Sequence, residues 1–167
     1  MRYFVGLGAN LGDRLANLRA AVRALEAIGP VLARSRVYAS AAVGGPPQPS
    51  YLNAAVLLEC ELLPHELLQR TQAIEAELGR DRATEVRWGP RPIDIDLLMG
   101  GARGELLVES ETLHLPHLRI HERGFALVTL IDLDPTLLHP RLSRPLKSLV
   151  GATQAAGQSW APTGDNV

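Results

Sequence analysis

The most informative stretch of the chain reads R-W-G-P-R-P-I-D-I-D-L-L-M and spans residues 87–99. Within it, apolar and acidic residues alternate from Ile93 to Leu97, and a period of two places every second side chain on the same face of a β-strand. Asp94 and Asp96 therefore point the same way, roughly 6–7 Å apart at a rise of about 3.3 Å per residue. Two carboxylates at that spacing can bind one divalent cation or two neighbouring cations.

A simpler interpretation of this stretch is an amphipathic edge strand whose aspartates face solvent. Two facts favour a cation site instead, since Asp is depleted in strands and like charges at i and i+2 repel unless a cation lies between them. Arg87 and Arg91 also bracket a Trp-Gly-Pro turn just upstream, and Pro92 can open the strand because an opening residue need not donate to the ladder. The stretch therefore places cation-binding and anion-binding groups side by side.

The composition indicates one globular domain. The 167 residues are 46% hydrophobic and 21% charged, which is enough to bury a core. We expect a single domain over residues 1–150 and a loosely ordered tail over 151–167. The formal charge of −1 gives no support for nucleic-acid or anionic-membrane binding. A single Cys60 suits the reducing cytoplasm, and no apolar run of about 18 residues could span a bilayer. We therefore expect a cytoplasmic monomer with neither a nucleic-acid nor a membrane partner.

Hydrophobic periods and turn residues predict the order strand, helix, strand, strand, helix, strand. The expected bounds are 3–8, 14–28, 31–38, 51–60, 64–79 and the strand around the two aspartates. This order is the βαββαβ core of the ferredoxin-like class, an α+β fold in which helices pack on one side of an antiparallel-dominated sheet. C-terminal additions follow the core: a short strand at 105–108 and the apolar segment 119–133, whose mixed period leaves helix and strand both open.

The residues near the two aspartates suit phosphate chemistry. Mg²⁺ prefers one or two carboxylates together with substrate phosphate oxygens, and the fork of donors on a guanidinium matches phosphate geometry. The candidate phosphate binders are Arg80, Arg82, Arg87, Arg91, Arg119, Arg123 and His117. Phosphoryl transfer from a nucleotide needs positioning and charge neutralisation more than covalent chemistry. We therefore infer a phosphoryl-transfer site that uses Mg²⁺.

The same residues carry a family resemblance. Residues 87–97 resemble the R-W-G-P-R-T-x-D-x-D-[LI] signature of the 6-hydroxymethyl-7,8-dihydropterin pyrophosphokinases, which are enzymes of folate biosynthesis. Three further segments resemble motifs of that family in the same order. They are G-A-N-L-G at 8–12, Y-L-N-A at 51–54, and P-H at 116–117 followed by R-G-F at 123–125. The joint match spans residues 3 to 130 and is more specific than any one short motif.

The resemblance implies transfer of a pyrophosphoryl group from ATP to the hydroxymethyl group of a reduced pterin, leaving AMP, with two Mg²⁺ ions held by Asp94 and Asp96. These two aspartates, with Arg80 and Arg91, match the catalytic residues of the family. The residues that match its ATP contacts are Gln72, Glu75, Arg82, Arg87, Ile95, His117 and Arg123. The residues that match its pterin contacts are Ser40, Ala41, Val43, Tyr51, Asn53, Trp88 and Phe125. An aromatic pair such as Trp88 and Phe125 can sandwich a flat ring, and an amide such as Asn53 can pair with its donor and acceptor edge.

The chain departs from the family pattern at a few positions. Pro92 replaces the usual Thr and Ala9 the usual Ser, at a strand opening and in a tight turn. Ser-Ala-Ala at 40–42 stands where T-P-P is common in the family. The match of Ser40 and Ala41 to pterin contacts therefore rests on position rather than on residue type. The interval from Arg82 to Arg87 is one residue longer than in some relatives, so the register of the preceding arginines is the least secure part of the match.

Two other functions fit the sequence less well. A ferredoxin-like module that binds single-stranded RNA needs exposed aromatics and a basic surface, whereas this near-neutral chain has two Phe, three Tyr and two Trp. A different Asp-x-Asp metal enzyme, such as a nucleotide-sugar transferase, fits poorly with the small size and with the tryptophan between two arginines.

Overall fold

An antiparallel sheet forms the centre of the computed structural model, which describes residues 1–86 and 88–167. The strands are β1 Arg2–Ala9, β2 Val31–Arg34, β3 Arg36–Ser40, β4 Tyr51–Glu59, β5 Asp94–Gly100, β6 Val108–Glu109, β7 His114–Leu115, β8 Leu138–His139, β9 Arg144–Pro145 and β10 Trp160–Asn166. The helices are α1 Arg14–Glu26, α2 Pro64–Glu77, α3 Gly124–Leu133 and α4 Val150–Ala155, with 3₁₀ turns at Ile120–Glu122 and Leu146–Ser148.

The central sheet has the order β10-β3-β4-β1-β5, and β2 pairs with the second half of β4. All of these pairings are antiparallel. The predicted βαββαβ core is therefore confirmed, with β2 and β3 together acting as its second strand. The sheet brings β1 between β4 and β5, so that the start of β5 lies beside the end of β1.

The second strand is interrupted, whereas the sequence predicts it as one run over 31–38. Ser35 separates β2 from β3, and its hydroxyl accepts a hydrogen bond from the backbone N–H of Ala55 at 2.8 Å. The backbone N–H of Ser35 donates to the carbonyl of Ala55 at 2.9 Å. A short hydroxyl side chain thus takes the place of one ladder partner, which an apolar pattern does not reveal.

Helices cover both faces of the sheet. The two helices of the predicted core pack on one side, as predicted, and α3 of the C-terminal additions covers the other side. On one face, α1 and α2 contribute Leu18, Leu25, Leu67 and Ile74 to a core with the sheet. On the other face, α3 packs Leu127 and Leu130 against Phe4 and Leu98. The segment 119–133 that the sequence leaves open is thus a 3₁₀ turn followed by α3. Because α3 lies between the sheet and the C-terminal segment, it lacks the polar face that reveals a helical period.

The expected loosely ordered tail is instead built into the sheet. Residues 150–155 form α4, and β10 pairs with β3 through Trp160 opposite Ser40 and Pro162 opposite Tyr38. Most side chains of β10 are exposed, because an edge strand is held by backbone hydrogen bonds and needs no apolar alternation. Pro162 is tolerated because it lies on an edge. In the part of the chain that the structure describes, no helix is both long enough and apolar enough to cross a membrane.

Candidate active site

Asp94 and Asp96 lie on one face of β5, as the period of two predicts. The side chains of Ile95 and Leu97 between and after them are buried in the core with α1 and α2, whereas the two aspartate side chains are 27% and 34% exposed. Across the ladder, Asp94 faces Gly8 and Asp96 faces Gly6. Because glycine has no side chain, nothing projects from the sheet surface beside the carboxylates at these two positions.

A pocket lies over this surface, on the side of the sheet that carries α3. It is lined by Gly6, Gly8 and Leu98 of the sheet and by Ala126 and Thr129 of α3. The structure also brings to it the seven residues that match pterin contacts, namely Ser40, Ala41, Val43, Tyr51, Asn53, Trp88 and Phe125. Five charged residues complete it: Arg91, Asp94, Asp96, Arg119 and Arg123. Residues that are far apart in sequence thus form one cavity with an aromatic and a charged part.

The floor of the aromatic part is held by a buried amide. Asn53 is 4% exposed, and its Nδ2 donates to the hydroxyl of Ser40 at 2.9 Å. A Cβ added to Gly8 would lie 3.5 Å from Oδ1 of Asn53, so the glycine leaves space next to that oxygen. The carbonyl oxygen of the amide is therefore placed to accept a hydrogen bond from a ring that enters the pocket.

Two loops meet at the mouth of the pocket. Trp88 has a positive φ of 58°, a conformation that costs a non-glycine residue about 1–3 kcal/mol and persists only where the surroundings hold it. Its carbonyl accepts a hydrogen bond from Nε2 of Gln48 at 2.7 Å, and Oε1 of Gln48 accepts one from Nδ2 of Asn10 at 2.8 Å. Gln48 also lines the pocket, but no feature of its Pro-rich surroundings in the sequence marks it as a site residue.

The two aspartates differ in their electrostatic environment. Burial acts to raise the pKa of Asp94, but the neighbouring guanidinium groups of Arg80 and Arg91 outweigh it and hold this pKa below its ordinary value. Oδ1 of Asp94 accepts hydrogen bonds from Nη1 of Arg80 at 2.6 Å and from Nη1 of Arg91 at 3.3 Å. Asp94 is therefore a carboxylate at neutral pH.

For Asp96 the balance is reversed. Burial and the adjacent charge of Asp94 raise the pKa of Asp96 to about 7. The hydrogen bond from Nη1 of Arg123 to Oδ2 of Asp96, at 3.1 Å, offsets only part of this effect. The pair thus carries more negative charge than its protein neighbours neutralise.

The donor set of this pair fits a divalent cation. Hydrogen bonds from described residues reach Oδ1 of Asp94 and Oδ2 of Asp96, whereas the second oxygen of each carboxylate accepts none from residues 1–86 and 88–167. Among those residues, no group of three or more His, Cys, Asp or Glu side chains could hold a metal. A hard cation at Asp94 and Asp96 would therefore complete its coordination with oxygens of water or of a substrate, which is the usual pattern for Mg²⁺.

Arg80 and Glu75 form a buried ion pair beside this site, outside the pocket lining. The two side chains are 4% and 1% exposed, with 2.7 Å between Nη1 of Arg80 and Oε1 of Glu75. The same Glu75 oxygen accepts a hydrogen bond from the N–H of Ile95 at 2.7 Å, and Arg80 also binds Glu85. In this structure the pair positions the start of β5, whereas the family resemblance assigns Arg80 to catalysis and Glu75 to ATP.

Arg80→Ala is expected to destabilise the protein by about 3–5 kcal/mol, because it leaves the buried carboxylate of Glu75 without its main partner. Arg82→Ala is a matched control and should cost less, since Arg82 contacts the same carboxylate from a side chain that is 54% exposed and its removal leaves the buried guanidinium of Arg80 on Glu75. Urea unfolding measures both changes. Equal losses in the two variants would contradict a structural role that is particular to Arg80.

Apart from Arg123, the described residues that match ATP contacts do not line the pocket. Gln72 is exposed on α2, and the Ile95 side chain is buried in the core. His117 accepts a hydrogen bond from the N–H of Arg119 at its Nδ1, and burial together with the charge of Arg123 lowers the pKa of His117 to about 4, so it is neutral at pH 7. Arg87, also predicted to bind ATP, lies outside the described residues.

One arginine of the pocket is absent from the predicted pterin and ATP contacts. Arg119 lines the cavity beside Arg123, and its Nε donates to the carboxylate of Glu122 at 2.9 Å. The sequence includes it among seven candidate phosphate binders, and only the 3₁₀ turn at Ile120–Glu122, which the sequence does not predict, turns it toward the site.

A ferredoxin-like α+β domain with an aromatic pocket that ends in paired carboxylates and arginines defines a small-molecule phosphoryl-transfer protein. Residues 4–135 match the model of one family of this class, described as 7,8-dihydro-6-hydroxymethylpterin-pyrophosphokinase. The chain belongs to this family, and the resemblance seen in its motifs is confirmed.

Two curated relatives match this chain over most of their length. A 2-amino-4-hydroxy-6-hydroxymethyldihydropteridine pyrophosphokinase of Methylorubrum extorquens is 46% identical over 140 residues, which cover 82% of this chain and 85% of that protein. One of Aquifex aeolicus is 35% identical over 144 residues, covering 86% and 87%. Both carry the name of the enzyme activity that the motifs imply.

Solved structures support the fold. A Plasmodium falciparum HPPK-DHPS structure with pterin and p-hydroxybenzoate superposes with a TM-score of 0.69 at 14% identity, over 93% of this chain. The match covers 43% of that longer chain, so this protein spans less than half of it. At this identity the likeness concerns the fold alone.

Proposed function

We propose that this protein transfers the pyrophosphoryl group of ATP to the hydroxymethyl group of 6-hydroxymethyl-7,8-dihydropterin, giving AMP and the pterin diphosphate. Membership of the pyrophosphokinase family gives the reaction, a step of folate biosynthesis. The observation that carries the proposal is the single pocket that joins the aromatic residues Trp88 and Phe125 to the carboxylates Asp94 and Asp96. A flat ring and a phosphate chain can therefore meet in one cavity.

The aromatic part of the pocket suits the pterin. Tyr51, Trp88 and Phe125 offer ring faces for stacking, and Asn53 offers an amide oxygen that can accept from the amino edge of the ring. With the ring so placed, its hydroxymethyl group would point along the floor of Gly6 and Gly8 toward the aspartates. Because Gly6 and Gly8 have no side chains, the hydroxymethyl group has room above the sheet.

The charged part suits the phosphates of ATP. We place two Mg²⁺ ions on Asp94 and Asp96, where, when bound, they would neutralise phosphate charge and help to orient the attacking and leaving oxygens. Arg91 and Arg123 would contribute guanidinium forks to the same phosphates. Because Asp94 already binds two arginines, it keeps its negative charge at any pH near neutrality.

The bond changes need little from the protein beyond positioning. The hydroxymethyl oxygen of the pterin attacks the β-phosphorus of ATP, the bond from that phosphorus to the α-phosphate bridging oxygen breaks, and AMP leaves. The proton of the hydroxymethyl group is released to water as the new oxygen–phosphorus bond forms. Holding the two substrates in line supplies most of the remaining rate enhancement.

The direct test follows nucleotide products. Purified protein with ATP, Mg²⁺ and the reduced pterin is expected to form AMP in proportion to pterin consumed. Omission of pterin and addition of a chelator are the two controls, and each is expected to stop AMP formation. Production of ADP in place of AMP, or no turnover with all three components present, would contradict the proposal.

A further inference from the structure

The C-terminal segment reaches the loop that carries Arg123. The side chain of Gln158, which follows α4, lies against the backbone between the 3₁₀ turn and α3. Its Nε2 donates to the carbonyl of Glu122 at 2.6 Å, and its Oε1 accepts from the N–H of Gly124 at 2.9 Å. One amide thus binds the backbone on both sides of Arg123.

Trp160 and Thr153 also pack closely against the backbone at Gly124. A Cβ added to Gly124 would lie 2.2 Å from Cζ3 of Trp160 and 2.7 Å from the hydroxyl oxygen of Thr153. Gly124 is therefore required for the indole to pack on this backbone, and its φ does not require a glycine. The glycine of the R-G-F motif in this chain is explained by the C-terminal segment.

The backbone at Arg123 is anchored to α3 on its carbonyl side, where the oxygen accepts from the N–H groups of Ala126 and Leu127 at 3.1 Å each, and is held less firmly on its N–H side. It has an extended conformation, with φ −114° and ψ 97°, between the 3₁₀ turn and α3. Its N–H reaches only the carbonyl of Ile120 at 3.4 Å. The N–H of Gly124 is one of the donors that the first turn of a helix leaves without an intrahelical partner, and Gln158 supplies that partner.

We propose that Gln158 is a positioning residue that holds Arg123 toward Asp96 and the pocket. The inference rests on the proposed function, because Arg123 is assigned there to the phosphates of ATP. The hydrogen bond from Nη1 of Arg123 to Asp96 is 3.1 Å long, and the Arg123 side chain is 26% exposed. A shift of the backbone that carries this side chain would move its guanidinium relative to the aspartate pair, and small displacements of positioning groups lower rates strongly.

The first test compares Gln158→Leu with Gln154→Leu. Gln154 is exposed on the neighbouring α4, so the control makes the same chemical change away from the Arg123 backbone. For Gln158→Leu we expect kcat/KM for ATP to fall about tenfold, with the Kd for pterin changed less than twofold and activity of the control unchanged. Unchanged kinetics for ATP, or an equal loss of pterin affinity, would overturn the proposal.

The second test is a double-mutant cycle. If Gln158 acts through Arg123, then Gln158→Leu added to Arg123→Ala should cause no further loss of kcat/KM for ATP, whereas independent residues give effects that multiply. Amide hydrogen exchange provides a readout without turnover, since the N–H of Gly124 should exchange faster in Gln158→Leu than in Gln154→Leu. An inactive wild-type protein would refute the proposed function. Unchanged exchange at Gly124 would refute the positioning role of Gln158 independently of that function.

Discussion

Asp96→Asn is expected to abolish AMP formation and, at the same time, to raise the thermal stability of the ligand-free protein. The loss of activity should be at least about 10³-fold, because a neutral amide is a poor Mg²⁺ ligand and the Mg²⁺ proposed at this site would supply several kcal/mol of charge stabilisation. The gain in stability follows from the raised pKa of Asp96. The folded protein disfavours the ionised form of this side chain through burial and through the charge of Asp94.

The pH dependence of this gain has a defined sign. The pKa of Asp96 is about 7 in the folded protein against an ordinary value of 3.8, so between these values the folded state holds a proton that the unfolded state has released. Stability of the wild type therefore falls as pH rises through this interval, and the deficit is complete above pH 7. The asparagine variant lacks it, and its melting temperature should exceed that of the wild type by a few degrees at pH 8 and approach it near pH 4.

Asp94→Asn is the matched comparison because it should lose activity with the opposite effect on stability. Arg80 and Arg91 outweigh burial and lower the pKa of Asp94, so the folded protein favours the ionised form, and its removal leaves a buried guanidinium with one fewer carboxylate. Differential scanning fluorimetry without Mg²⁺ measures both variants. A melting temperature that falls for Asp96→Asn at pH 8, or that shifts equally in both variants, would contradict this electrostatic account.

Local patterns are sufficient to predict the parts of the fold that obey a simple period. The alternation of Ile95 and Leu97 with the two aspartates predicts β5 and the face that it turns to the pocket. The N-cap of α1 is equally local, since Asp13 lies just before the helix and its Oδ1 accepts the N–H of Ala16 at 3.0 Å. Such features depend on neighbours within a few residues, which is the range that a sequence pattern covers.

Features that depend on distant partners are not predictable in the same way. The ion pair of Glu75 with Arg80 is buried, although each residue alone resembles an ordinary surface charge in the sequence. The strand β10 is held by backbone pairing with β3, for which exposed side chains give no signal. Gln158 binds the backbone N–H of Gly124 across 34 residues of sequence. In each case the deciding energy is a specific tertiary hydrogen bond rather than a local preference.

Arg91→Ala is expected to slow the chemical step by about 10³-fold while the affinity for ATP falls by less than about tenfold. The backbone of Arg91 is fixed by Asn10, whose Oδ1 accepts its N–H at 2.8 Å and whose N–H donates to its carbonyl at 3.1 Å. Its side chain is 14% exposed, with Nη1 3.3 Å from Oδ1 of Asp94. A guanidinium that is already held in place needs little reorganisation when charge develops on the transferring group. Interactions that strengthen in the transition state raise kcat, so we expect the effect of Arg91 on kcat.

Rapid-quench measurement of AMP in a single turnover separates the chemical step from binding, which calorimetry with a non-hydrolysable ATP analogue measures. Arg91→Lys should recover only part of the rate, because lysine keeps the charge and loses the planar fork. Arg2→Ala serves as the control, since Arg2 forms an exposed salt bridge with Glu59 away from the pocket. If ATP affinity falls by the same factor as the rate, Arg91 is a ground-state nucleotide contact. Stabilisation of the transferring phosphates would then have to come from Arg123 and the metal ions.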